Sequence, residues 1–112
     1  MSKISTHVLD LVTGRPAQGI PAELEEKTAD GQWQSTGSGT TNADGRIATL
    51  LSGREPADGL YRLTFRLTDY CNTLQRPCFY PEVSITFAIS DRRPHHIPLL
   101  LSAFGYSTYR GS

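Results

Sequence analysis

Imidazoles are the side chains best suited to moving protons near neutral pH, and this sequence holds three of them: His7, His95 and His96. An arginine, Arg46, follows the turn-forming run Asn42-Ala43-Asp44-Gly45. That turn delivers a planar fork of donors, suited to carbonyl or carboxylate oxygens, to the start of a strand. The chain closes on Tyr109, Arg110, Gly111 and Ser112. An aromatic ring, a guanidinium, a glycine and a hydroxyl in the final tetrapeptide point to a terminus docked in a site. The alternative is an edge strand with a polar tail.

Other chemistries are missing. Zinc could be held by histidines, but His95 and His96 are adjacent, so in a strand they face opposite ways and one of them misses any shared site. No carboxylate or cysteine completes a tetrahedron. Cys71 and Cys78 are separated by six residues, which is not zinc-ligand spacing, and both read as free thiols in a reducing compartment. The sequence has no phosphate-cradling glycine loop, no HExxH and no nucleophile elbow. An enzyme built from these residues would activate water rather than form a covalent intermediate.

The elements that must position these groups are mostly strands. Residues 4–12 alternate loosely and are rich in β-branched side chains, which predicts a first strand. Residues 22–37 read as a hairpin turning at Asp30-Gly31. Residues 37–41 read as a loop and 47–50 as a short strand opening at Arg46, followed by a loop over 52–59. Tyr61, Leu63, Phe65 and Leu67 alternate with Arg62, Thr64 and Arg66, the signature of a half-buried antiparallel strand. Thr68 or Asp69 can cap a short helix that runs to Gln75 and stops before Pro77. Val83, Ile85, Phe87 and Ile89 form the inward face of another strand. The fold class expected is all-β: a two-layer antiparallel sandwich of seven to eight strands with one short helix, as a single domain over residues 1–112.

Two strands break the one-sided rule. In the closing strand Ile97, Leu99 and Leu101 would face the core, leaving His96, Pro98, Leu100 and Ser102 outside; in the first, one face carries His7, Leu9 and Leu11. Apolar residues on both faces imply a covered outer face. Another subunit is one cover; the helix or a loop is the other. On this geometry His96 shares the covered face and His95 points the other way; taken alone, each histidine is more often structural or solvated than catalytic.

The totals exclude several partners. Eleven basic and eleven acidic residues give a formal net charge of zero, which argues against a nucleic-acid ligand. No apolar run approaches the roughly 20 residues of a membrane span. The start, Met1-Ser2-Lys3-Ile4, has no secretory signal, so a cytoplasmic location is expected.

Several stretches, in order along nearly the whole chain, resemble one family. They are His7-Val8-Leu9-Asp10 with Gly14-Arg15-Pro16-Ala17-Gln18-Gly19, then Asp44-Gly45-Arg46 and Phe79-Tyr80-Pro81-Glu82-Val83, then the run from His96 through Ser102, and last Tyr106 through Ser112. Together they look like the 5-hydroxyisourate hydrolases, the transthyretin-related enzymes of purine catabolism. The closing Tyr-Arg-Gly-Ser is specific to the enzymes; the hormone carrier transthyretin, similar elsewhere, lacks it. The resemblance implies a homotetramer with active sites where dimers meet, no metal and no organic cofactor. The small-molecule substrate would be 5-hydroxyisourate, opened by water to 2-oxo-4-hydroxy-4-carboxy-5-ureidoimidazoline. By the same resemblance His7, Arg46, His96 and Ser112 are catalytic, and His7, Arg46, Tyr109, Arg110 and Gly111 bind substrate. Ser112 with the terminal carboxylate would hold water or a histidine. Ala103 stands where the family usually has proline. A non-catalytic carrier of small ligands on the same fold is the alternative.

Overall fold

A computed structural model describes residues 3–51 and 54–112. The first two residues and part of the loop expected over 52–59 therefore lie outside the described residues. Nine strands and one helix follow in the order β1 (Ile4–Asp10), β2 (Arg15–Pro16), β3 (Pro21–Lys27), β4 (Trp33–Thr40), β5 (Arg46–Ile47), β6 (Gly59–Arg66), α1 (Thr68–Thr73), β7 (Glu82–Ile89), β8 (His95–Leu101) and β9 (Tyr106–Thr108). One sheet runs β2-β1-β8-β9, with β5 also paired to β1; the other runs β4-β3-β6-β7. The layers enclose one core, as the alternation of apolar residues requires: Ile4 and Val8 from β1, Leu24 from β3, Tyr61, Leu63 and Phe65 from β6, and Leu99 from β8 are all fully buried. Truncating a ring such as Phe65 to alanine in a core of this kind costs about 3–5 kcal/mol.

The two-layer sandwich is as expected, with corrections in detail. Strand β1 stops at Asp10 rather than at residue 12, because the Asp10 carboxylate accepts from Val12 N and its carbonyl from Gly14 N. Leu11 thus leaves the strand and is 53 % exposed, so it does not share the face of His7 and Leu9. Residues 37–40 are strand, not loop: β4 stays paired to β3 as far as Pro21↔Thr40, through one bulge at Leu24/Glu25. The glycines that suggested a loop mark a close approach instead, since a Cβ on Gly37 would stand 1.6 Å from the Leu50 carbonyl oxygen. The strand expected over 47–50 is only Arg46–Ile47, because the chain then bends across β4. Helix α1 is capped by neither Thr68 nor Asp69; Leu67 is its N-cap, without a side-chain bond. It ends before Gln75, which has φ 53°; Arg76 N–H then donates to the Cys71 carbonyl and Gln75 N–H to that of Asn72, the Schellman closure.

The pairing that builds the site is the one departure from an antiparallel sandwich. β1 and β8 run parallel, in a register that sets Ser5 beside His96 and His7 beside Pro98. Asp10, fully buried at the end of β1, ties that strand to the helical segment. It accepts from Tyr70 Oη at 2.7 Å and pairs with Arg76 at 2.9 Å. Burial alone would raise its pKa, but the bonds from Tyr70, Val12 and Arg76 outweigh burial and hold it below the usual carboxylate value. Those contacts place α1 at the core side of β1. It does not cover the outer face that carries His7 and His96.

Candidate active site

The alternation of β1 and β8 sorts the histidines. His95 points inward and is 3 % exposed. Its two ring nitrogens have no hydrogen-bond partner, and the nearest carboxylate, Asp91, stands 3.7 Å from Nε2. His96, one residue on, points to the outer face with its Nδ1 2.8 Å from Ser5 Oγ. His7 joins it from the neighbouring strand, with ring centroids 6.5 Å apart and planes tilted by 34°. Arg46 comes from the other side of β1, where β5 pairs it directly with His7. The turn that delivers it is held by the Asn42 side chain, which accepts from the main-chain N–H of Asp44 and of Arg46.

These groups share an environment. Arg46, His96, Ser5 and Ser112 line an open cleft of about 320 Å³ together with Lys3 and Pro94. Both imidazoles are held below their ordinary pKa. For His96 the cause is burial first, then the positive charge of Arg46 and of His7. For His7 it is burial first and Arg46 second, opposed by a hydrogen bond to the Asp44 main chain and by the Asp44 carboxylate. Both shifts favour the neutral ring, in which one nitrogen donates a hydrogen bond and the other accepts one. Arg46 supplies a fixed positive charge and a fork of donors beside them.

The closing tetrapeptide is divided. After β9 the chain returns to β8, and Gly111 N–H donates to the His96 carbonyl at 2.8 Å. Gly111 then lies against the His96 ring, and Ser112 enters the cleft. Tyr109 and Arg110 line a second, apolar cleft of about 230 Å³ with His95, Ile85 and Phe87, on the other side of His96, which lines both clefts. The Arg110 guanidinium is bound by both Asp91 oxygens at 3.0 Å, and that pairing holds Asp91 well below the usual carboxylate range. So within one subunit Arg46, His96 and Ser112 line one cleft, and His7 stands beside it through its ring contact with His96 and its pairing with Arg46. Gly111 packs on His96, and Tyr109 and Arg110 meet His96 only from the second cleft. Ser5 was missed from the sequence. Period-two alternation could have found it, since it lies two residues before His7 on the same face. Among the described residues no cluster of three or more His, Cys, Asp or Glu side chains could hold a metal ion. Cys71 is buried and Cys78 half-buried, both as free thiols; burial and the neighbouring Cys71 push Cys78 up to about 11.

Comparison with known proteins sets this geometry in a family. The HIUase/Transthyretin family model matches residues 4–111. The chain belongs to the HIUase/transthyretin family. Within it, the 5-hydroxyisourate hydrolase of Salmonella typhimurium is 44 % identical over 110 residues, covering 97 % of this chain and 80 % of the relative. The enzyme of the same name from Mus musculus is 40 % identical, covering 99 % and 96 %. Among solved structures, 5-hydroxyisourate hydrolase of Klebsiella pneumoniae superposes with a TM-score of 0.86 at 36 % identity over the full length of both chains. Sea bream transthyretin in complex with thyroxine superposes with a TM-score of 0.91 at 30 % identity, covering 97 % and 94 %. The backbone of this family therefore carries both 5-hydroxyisourate hydrolases and a transthyretin solved with thyroxine, and side chains must separate them.

Proposed function

We propose that this protein hydrolyses 5-hydroxyisourate, opening its six-membered ring to give 2-oxo-4-hydroxy-4-carboxy-5-ureidoimidazoline. The observation that carries the reading is the pair of imidazoles, His7 and His96, set 6.5 Å apart with Arg46 paired beside His7. The substrate is a planar ring rich in carbonyl oxygens. Arg46 binds one of them and stabilises the oxyanion as water adds to the carbonyl carbon. One imidazole takes the proton from the attacking water. That proton passes to the other imidazole, which as imidazolium gives it to the ring nitrogen as the carbon–nitrogen bond breaks, so both rings end neutral. Ser112 orients water or an imidazole from the cleft floor. A neutral ring is what the base role needs, and burial together with Arg46 favours that form.

Tyr109, Arg110 and Gly111 enter the reading differently. Gly111 acts through His96, and the Asp91–Arg110 pair anchors the segment that carries Gly111 and Ser112. Tyr109 contacts substrate only if the assembled cleft is completed by a second copy of the chain. The half-buried outer face of His7, Leu9, His96 and Leu100 supports that assembly, a homotetramer with sites where dimers meet. The whole chain acts as one catalytic unit without metal or cofactor, in the cytoplasm.

The test is product identification. Freshly generated 5-hydroxyisourate is mixed with the protein in the presence of a strong chelator, and the product is followed by ¹³C NMR. Rapid appearance of the ureidoimidazoline, unaffected by the chelator, is expected. Spontaneous-rate decay, with tight binding of a thyroxine-like ligand in its place, would establish the carrier, the reading that the likeness to transthyretin favours. Loss of turnover on chelation would establish a metal site.

A further inference from the structure

The hydrogen bond between Ser5 and His96 has no part in the mechanism above, and its chemistry is informative. The parallel register of β1 and β8 places the two residues side by side, and Ser5 Oγ stands 2.8 Å from His96 Nδ1. On the flank of the same ring Gly111 leaves no space, since a Cβ there would be 2.6 Å from Cδ2 and 3.1 Å from Cγ. The ring is held at one nitrogen and along one edge. Nε2 is left, among the described residues, as the nitrogen without a protein partner, and His96 lines the open cleft.

We propose that Ser5 is a positioning residue for hydrolysis: its hydroxyl fixes the His96 imidazole with Nε2 toward substrate and adapts to either protonation state of the ring. This rests on the reading of function above. A hydroxyl both donates and accepts. When Nε2 carries the only ring proton, Ser5 donates to Nδ1. When Nδ1 carries it instead, Nδ1–H donates to Ser5 Oγ and the bare Nε2 can take a proton; in the imidazolium that then forms each nitrogen holds one proton and Nδ1–H still donates to Ser5 Oγ. A carboxylate in that place would accept only; it would fix Nδ1–H and add a negative charge that favours imidazolium. The serine orients the ring without that charge, which agrees with a His96 pKa lying below the ordinary value through burial, Arg46 and His7. The charged side chains lining the cleft are Lys3 and Arg46, both cationic, and the carboxylate of Ser112 enters it as the one opposing charge among the described residues.

The experiment compares Ser5→Ala, Ser5→Thr and Ser5→Asp by steady-state turnover of 5-hydroxyisourate and by ¹⁵N NMR of histidine-labelled full-length protein. Ser5→Ala should lower kcat about three- to tenfold, the worth of one neutral hydrogen bond, with KM and melting temperature unchanged. Its His96 ¹⁵N shifts should move toward a mixture of tautomers. Ser5→Thr, which keeps the hydroxyl, should restore both rate and shifts. Ser5→Asp should raise the His96 pKa and carry the acid limb of the kcat profile to higher pH. Wild-type kcat and unchanged His96 shifts in Ser5→Ala would overturn the proposal. So would a loss of rate that Ser5→Thr fails to rescue, since that outcome assigns the effect to packing. If the wild-type protein shows no turnover at all, the reading of function falls, and the imidazole spectrum still decides whether Ser5 fixes the ring.

Discussion

Gly111 lies against His96 so closely that a Cβ on it would stand 2.6 Å from the imidazole Cδ2. The same glycine donates its N–H to the His96 carbonyl, so its backbone cannot retreat without breaking that bond. A residue that resemblance assigns to substrate thus stands as a wall for the His96 ring, to which the proposed mechanism gives a proton transfer. Gly111→Ala must turn the imidazole away from its Ser5 bond or lift the terminal segment. Turnover should fall about 10²-fold, the usual worth of a positioned acid or base, while the melting temperature stays close to wild type. Steady-state kinetics beside a thermal melt check it; wild-type kcat in this variant would show that the ring has room to spare.

Arg46 separates charge from geometry. Arg46→Lys keeps a cation beside His7 but loses the fork of donors. A large loss of kcat is expected with the circular dichroism spectrum unchanged, because Arg46 is exposed and makes no core contact. Arg46→Glu should be worse, since a carboxylate opposes the developing oxyanion. Near-normal turnover by Arg46→Lys would mark Arg46 as a surface residue after a turn.

Which parts of this were legible beforehand has a physical answer. Period-two alternation put His96 on one face of the closing strand and His95 on the other, and the structure keeps both assignments. The two-layer core followed from the same periodicity in Tyr61, Leu63, Phe65 and in Val83 and Ile89. Long-range pairing was not legible: nothing local in residues 4–10 and 95–101 encodes that they run side by side and parallel, and the Ser5–His96 bond exists only through that register. Gly37 and Gly39 misled because glycine marks both loops and close backbone approach. The fate of Arg110 depended on Asp91, nineteen residues away.

His95 gives a stability prediction with a sign. It is buried with both nitrogens unpartnered, and burial first, then Arg110, lowers its pKa against the opposing pull of Asp91. A histidine with a lowered folded pKa binds fewer protons folded than unfolded between that value and 6.5, so its share of stability is complete above pH 6.5 and is lost as pH falls below it. His95→Phe removes the orphaned nitrogens and should raise the melting temperature, flatten the decline below pH 6.5, and leave turnover within a few-fold of wild type. Melts at pH 5.5 and 7.5 for both proteins decide it. A variant that loses activity while staying folded would move His95 into the site.

Leu100 tests the covered face. It shares the outer side of β8 with His96 and Pro98, is half-buried in the single chain, and meets Leu9 of β1 in register. Leu100→Asp would bury an unpaired carboxylate in the assembled protein, at a cost of several kcal/mol. Sedimentation should show a tetramer for the wild type and smaller species for the variant at micromolar concentration. A wild-type monomer with full activity, or a variant that stays tetrameric, would contradict the assembly.

The most direct measurement of the central claim is the decay of freshly generated 5-hydroxyisourate, followed by ultraviolet absorbance, with wild-type protein, His7→Asn, His96→Asn and the double variant. Wild type should accelerate the decay far beyond the spontaneous rate, and each single variant should lower turnover about 10²-fold or more. The proposed mechanism puts the two imidazoles in one proton relay, so the double variant should lose little beyond the worse single one. Decay at the spontaneous rate with wild-type protein, or full turnover in the double variant, would contradict the account.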